Sequence, residues 1–324
     1  MLISSMMEDI APSLEAEVKK ITDKPIRYVL SIDSDPYNHH ANKYFSDRGA
    51  TIYSHENLLY TKAYTEIRFS NHISIPIGDE IVTAYHSPTH QFDHIDVHLE
   101  KSNVIFMSDG FKGYWLTPHG PNGLKGLLES FDKAISLSDE KTIIVSGNTS
   151  KNPKLFLSNK KRLIEIRKKH VDFTNRIGVL YKQGLNAEEI AKDDFIQDIM
   201  KSFKVYPKFK KWVSEEVQTV LESDFSNPIE LSKKELQKYT GFYKLDENIE
   251  IEIFLKEGRL IARSVGQFMF ELTALSKVKF DFKTDLSNNY ITFQFLPNGK
   301  IKSLTTVLEG WLAGRIKAGV HTKK

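Results

Sequence analysis

The hydrophobic period of this chain changes twice, and each change restricts what the segment can fold into. Up to about residue 155, short apolar runs alternate with helical patterns. Ile26 to Ile32 reads as a strand, Asn38 to Asp47 as a short helix closed by Gly49, and Thr51 to Tyr53 and Ile81 to Tyr85 as strands. Ile95, Val97 and Leu99 alternate with polar residues, and Val104 to Met107 is a buried-type strand ending at Ser108-Asp109-Gly110. Gly123 to Leu137 is helical, and the strand Thr142 to Val145 runs into Ser146-Gly147-Asn148-Thr149. Strands interleaved with helices, with polar loops at the strand ends, predict a layered α/β domain over residues 1–155. Over residues 156–228 the spacing becomes three-four: Leu163, Ile166, His170, Phe173, Ile177 and Leu180 form one seam, ended near Gly184. Asn186 with Glu189 is a capping box, and Val213, Val217, Val220 and Leu221 mark another helix. Beyond Ser226-Asn227-Pro228 the period falls to two. Ile249, Ile251 and Ile253 are followed by turns at Glu257-Gly258 and Pro297-Asn298-Gly299, which predicts a small antiparallel β-barrel over residues 229–324.

Composition narrows the function classes. The 324 residues contain no cysteine, which excludes disulfides, thiolate metal ligands and a cysteine nucleophile. No run reaches the roughly 18 apolar residues of a membrane span, and Met1 to Lys20 lacks the pattern of a signal peptide, so the chain as it stands is expected to be cytoplasmic and membrane-free, its localisation staying open if an upstream segment is missing. Formal charge is −7 over residues 1–150 (13 basic, 20 acidic), +4 over 151–230 and +6 over 231–324. Nine of the 11 histidines also fall in the first block, so cation chemistry is sought there and a nucleic-acid partner is not expected. Arg167-Lys168-Lys169 read as solvated charge.

Asp33 and Asp35 follow the first strong strand, with Tyr37, Asn38, His39 and His40 next to them. Carboxylates at alternate positions can converge on one cation or cap the following helix, and both readings stay open. His86, His90, His94 and His98 recur every four residues, but Pro88 and the alternation after it argue against a helix, so that stripe is set aside and His90 is retained. Asp109 ends a buried-type strand with no adjacent basic residue to neutralise it.

The order of these pieces resembles the metallo-β-lactamase superfamily. Lys24-Pro25-Ile26-Arg27-Tyr28-Val29-Leu30, Asn42-Lys43-Tyr44-Phe45, Arg48-Gly49-Ala50-Thr51-Ile52 and His55-Glu56-Asn57 are similar to the surroundings of its first metal motif. Pro88-Thr89-His90 resembles the motif of its third histidine, Phe106 to Gly110 the strand ending in its metal-bridging aspartate, and Ile143 to Thr149 the strand before its last histidine. Tyr239-Thr240-Gly241-Phe242-Tyr243 is similar to the start of a β domain found in one branch. The resemblance implies an αββα sandwich, here apparently lacking its first strands, so that the domain is trimmed or the chain is a fragment.

The resemblance also implies a pair of zinc ions activating water, yet the ligand positions depart from it. The places of the His-x-His-x-Asp-His motif hold Asp33, Asp35, Tyr37 and Asn38, and the last histidine is Asn148; only His90 and Asp109 match. The expectation is therefore a degenerate member with weakened or lost di-zinc hydrolysis and a pocket for a small molecule. The alternative is a hydrolase of an ester, lactone, lactam or thioester. It would use one divalent ion (Zn, Mn or Mg) on Asp33, Asp35, His90 and Asp109, assisted by Asn38, His39, His40 or Asn148, with Asp35 and Asp109 catalytic. A nucleic-acid-processing member is the second alternative, which the acidic first block opposes. Phe242, Tyr243, Phe268 and Phe270 could line the barrel, which would serve as a binding or oligomerisation module or as a cover for the helices.

Overall fold

The computed structural model describes residues 1–58, 64–117, 119–120, 122–147, 155–203, 210–225, 228–245, 249–264, 269–282, 289–308 and 319–324. Its first block holds two sheets. One is wholly parallel, in the order β1 (Leu2–Ile3), β2 (Tyr28–Leu30), β3 (Thr51–His55), β4 (Glu66–Phe69). The other contains β5 (His72–Ile77), β6 (Glu80–His86), β7 (Ile95–Leu99), β8 (Val104–Ser108), β9 (Ile143–Ser146) and β10 (Leu157–Ser158), in the order 10-9-8-7-6-5. It is antiparallel except where β8 and β9 run parallel.

Apolar side chains on both faces of each sheet produce the layers. Leu30, Ile32, Tyr53 and Phe69 from the first sheet meet Ile75, Val82, Ala84, Ile95 and Val97 from the second. The first sheet's other face, with Val29 and Ile52, is covered by Ala11 of α1 (Ala11–Lys19) and, after the short α2 (Pro36–His39), by Phe45 of α3 (Asn42–Ser46). The second sheet's other face, with Ile105, Met107 and Ile144, packs on Leu127 and Phe131 of α4 (Gly123–Leu137) and on Leu163, Ile166 and Phe173 of α5 (Lys160–Lys182). The result is a helix–sheet–sheet–helix sandwich.

The three-four seam becomes α5, whose Asn159 N-cap accepts a hydrogen bond from Arg162 N at 2.9 Å. Asn186 and Glu189 form the expected capping box on α6 (Ala187–Ile190), followed by α7 (Asp194–Lys201) and α8 (Lys210–Asp224). Asp224 locks this extension to the sandwich: its carboxylate accepts Leu124 N at the start of α4 at 2.8 Å and pairs with His119 at 2.6 Å. The basic run on α5 is paired rather than simply solvated. Arg167 makes two 2.7 Å bonds to Asp132 of α4, Lys169 pairs with Glu165, and Lys168 pairs with Asp172.

After α9 (Lys233–Leu236), eight antiparallel strands close into a barrel. They are β11 (Gly241–Lys244), β12 (Glu250–Lys256), β13 (Arg259–Ser264), β14 (Met269–Ala274), β15 (Lys279–Phe282), β16 (Tyr290–Phe295), β17 (Ile301–Val307) and β18 (Gly319–Lys323). Tyr243, Phe270, Phe280, Phe282, Phe293 and Leu304 fill its interior, as expected for a barrel of this strand number. Phe242 belongs outside, because neighbours along a strand face opposite ways and Tyr243 takes the inward place; Phe242 is 44% exposed. Phe268 lies outside the described residues. No described helix is long and apolar enough to cross a membrane.

Candidate functional site

The site forms where three strand ends meet: the loop after β2, the loop between β6 and β7, and the turn after β8. Asp33, fully buried, is its centre. Its Oδ1 accepts Asp35 N at 2.9 Å and Asn38 Nδ2 at 2.7 Å. Its Oδ2 faces His90 Nδ1 at 3.1 Å and His94 Nδ1 at 2.9 Å. Burial alone would raise the Asp33 pKa, but hydrogen bonds from His90 and His94 hold it well below the usual carboxylate range.

His94 carries the matching charge. Burial opposes protonation, yet Asp33 and Asp96 outweigh it and push the imidazole up to about 10. Its Nε2 donates to the Met107 carbonyl at 3.1 Å and lies 3.6 Å from Asp96. Asp93, on the same loop, accepts Ser34 Oγ at 3.0 Å and Ser34 N at 3.2 Å, tying this loop to that of Asp33. Burial and the neighbouring Asp33 raise Asp93 to about 7.

The barrel fixes this loop from outside. Phe92, between the two site histidines, is buried against Ile261 and Met269, and the Arg259 guanidinium lies 4.9 Å from its ring centre. A second tie joins Lys256 to Asn57.

Asp35 does what the capping reading expects: it is the N-cap of α2 and accepts Tyr37 N at 3.1 Å. Burial and Asp33 raise its pKa, as expected where carboxylates crowd. Tyr37 is half exposed. Asn38 accepts Ser4 Oγ at 2.7 Å while donating to Asp33. His39 donates Nδ1–H to the Asp35 carbonyl at 3.0 Å, burial lowers it to about 4, and the His40 ring packs edge-on against it. Asn148 lies outside the described residues.

Asp109 differs from expectation. Lys112, one turn further on, places its ammonium on the Asp109 carboxylate, and the Lys112 side chain is only 7% exposed. Burial would raise the Asp109 pKa; the Lys112 charge and then His90 overcome this and lower it. The sequence signal was the three-residue spacing, which a search for adjacent bases passes over. The other residue missed is His94, discarded with the four-residue stripe. That stripe is dismantled: His86 ends β6, His98 is on β7, and only His90 and His94 share a centre.

Two glycines make room. A Cβ on Gly147 would collide with the Asp109 carboxylate. One on Gly110 would collide with Thr89 Oγ1 and stand 2.8 Å from His94 Nε2. Gly110→Ala is therefore expected to cost about 1–3 kcal/mol of stability by overpacking, read from urea unfolding. Ser108 beside them adopts φ +43°, a left-handed conformation uncommon for a residue with a side chain.

A cleft of about 670 Å³ opens over these groups, with polar Asp35, Tyr37, His90, Asp109 and Lys112 and apolar walls that include Ile32 and Phe106. This is the size and mixed lining of a small-molecule pocket.

Two imidazoles converge on one carboxylate oxygen, and the other strand-end carboxylate is already bound to an ammonium. Single-ion geometry is more favourable: the Asp33, His90 and His94 donor atoms lie within 4.8 Å of one another.

No protein-family model and no curated protein matches the chain. Solved structures do resemble it. The stereoselective inverting sec-alkylsulfatase from Pseudomonas sp. superposes with a TM-score of 0.50 at 11% identity, over 68% of this chain and 45% of the sulfatase. A metallo-β-lactamase family protein from Thermus thermophilus gives 0.48 at 13% identity, over 69% and 85% of the two chains. A metallo-β-lactamase from Pontibacter korlensis gives 0.45 at 12%, over 52% and 81%. The chain thus spans under half of the sulfatase. At these identities the likeness concerns the fold alone: the arrangement of helices and sheets is similar to that of the sulfatase.

Proposed function

We propose that this is a hydrolase-fold protein whose cleft binds a small molecule and whose paired-zinc hydrolysis is weakened or lost. The observation that carries the reading is the state of Asp33. At the place of the family's first imidazole stands a buried carboxylate whose two oxygens are already engaged by Asn38, the Asp35 amide, His90 and His94. A zinc pair would have to displace these bonds, and Lys112 as well, at a centre that is electrostatically satisfied without it.

The test is hydrolysis of a lactam, a lactone and a thioester by the purified protein, with and without added zinc. The expected result is no zinc-dependent turnover, while a fragment library screened by NMR yields binders that shift cleft resonances such as Gly147. Robust zinc-stimulated turnover would refute the reading. A second reading rests on the 4.8 Å grouping of Asp33, His90 and His94, which has the two-imidazole, one-carboxylate composition of mononuclear sites. Turnover lost with chelator and restored by one equivalent of Mn²⁺ or Zn²⁺ would favour it.

A further inference from the structure

We infer that one end of the barrel carries a binding site for a small oligophosphate-like anion, formed by Lys238, Lys300, Lys323 and Lys324. This site shares no lining residue with the cleft and goes beyond the reading of that cleft.

Residues 231–324 carry a formal charge of +6, and part of that excess is gathered in one place. Lys238 follows α9, Lys300 follows the Asn298-Gly299 turn between β16 and β17, and Lys323 ends β18 with Lys324 after it. The four lysines line one depression of about 390 Å³, with no acidic residue among its described lining residues. A neighbouring depression shares Lys238 and adds Lys233 and Lys234 of α9, so the positive surface continues along that helix.

Backbone bonds pin the three segments so that these side chains meet. The Lys238 N–H donates to the Glu235 carbonyl at 3.1 Å, the Lys300 N–H to Asn298 Oδ1 at 3.0 Å and the Lys324 N–H to the Phe242 carbonyl at 2.9 Å. Lys323 is held along its whole length. Its stem lies over Gly241, where a Cβ would stand 2.8 Å from Lys323 Cε. Its ammonium donates to the Lys238 carbonyl at 3.1 Å and lies 5.4 Å from the Tyr243 ring centre. An ammonium has three donors, so further N–H groups of Lys323 stay available to a ligand.

Counter-charge is short at this end. Lys324 pairs with Glu250, whereas among the described residues no carboxylate pairs with Lys238, Lys300 or Lys323. Gathered like charges repel, and an anion carrying several charges relieves the repulsion. Lysines act as point charges without the planar fork of arginine, so the site selects for charge density, as phosphate oxygens supply it. The volume suits a small ligand, and the −7 of residues 1–150 opposes a long polyanion laid along the chain.

The experiment titrates the full chain with inorganic tripolyphosphate, pyrophosphate and a short single-stranded DNA by calorimetry at low salt. The wild type should bind one tripolyphosphate, more tightly than pyrophosphate, and added salt should weaken both. Lys323→Gln should weaken tripolyphosphate about tenfold and Lys238→Gln/Lys300→Gln about a hundredfold, at roughly a decade for each charged contact. Lys161→Gln/Lys182→Gln, which removes the same charge from exposed positions of α5, should bind as the wild type does. If Lys323→Gln fails to fold, the pair at the exposed Lys238 and Lys300 carries the test. A folded wild type that binds no tripolyphosphate, or an equal loss in the α5 pair, would overturn the inference. Binding of the DNA without binding of tripolyphosphate would also overturn it, by assigning these lysines to a nucleic acid.

Discussion

Asp33→Ala should cost about 3–5 kcal/mol in unfolding free energy, the range for removing one partner of a buried ion pair. Total stability of a domain is commonly about 5–15 kcal/mol, so the variant should be near the limit of folding. The cost arises because His94 would remain buried and charged, facing Asp96 at 3.6 Å and a carbonyl in place of its carboxylate partner. The Asn38 amide and the Asp35 N–H would also lose their acceptor. His94→Ala should be comparably damaging by leaving Asp33 short of its charge partner. In the double variant the two losses should be markedly less than additive, since the second removes what the first left unpaired. Urea unfolding of the three variants measures this; an Asp33→Ala cost below about 1 kcal/mol, the level of an exposed pair, would contradict it.

The same network predicts how stability falls with alkali. His94 is raised from 6.5 to about 10, so its contribution is complete below pH 6.5 and is lost as pH rises toward 10. Asp93, raised from 3.8 to about 7, stays protonated in the folded chain after the unfolded chain has released its proton, so it lowers stability as pH climbs from about 4 to 7. Asp33, shifted downward, contributes stability above 3.8 that is lost only in strong acid. On the acid side, buried His39 at about 4 and His55 at about 3 act against folding as pH drops below 6.5, because the unfolded chain takes those protons first. Between pH 7 and 9, urea unfolding should therefore fall with a slope approaching about 1.4 kcal/mol per pH unit, the value for one proton. His94→Gln should flatten that limb, and Asp93→Asn should flatten only the region below 7. An unchanged slope in His94→Gln would place the titrating proton elsewhere.

Much of the architecture was written locally. The seam from Leu163 to Leu180, with Asn159 and Asn186 as caps, specifies its helices because capping and period act within a few residues. The alternation after Pro228 specified a barrel for the same reason. β4 and β5 were not read, although Ile73, Ile75 and Ile77 alternate along β5 and pack between the sheets; Pro76 within the run argued against a strand. β18, whose Gly-Val-His-Thr-Lys carries one strong apolar residue, was also missed.

The site was legible residue by residue and opaque as an arrangement. Asp33, His90 and Asp109 stood out because strand ends carry exposed chemistry, and the structure brings Asp33 to His90. That His94 would also turn to Asp33, 61 positions away, depends on how a loop folds between two strands and on the barrel gripping Phe92. A carboxylate capping a helix and one gathering imidazoles look alike in sequence. Here Asp35 does the first and Asp33 the second.

The most direct test of the account is elemental analysis of the purified protein after growth in medium supplemented with zinc, manganese and magnesium. A cleft neutralised by His94 and Lys112 predicts no stoichiometric ion, with unfolding unchanged by chelator. Two zinc ions per chain, or one lost together with stability in Asp33→Asn, would contradict it.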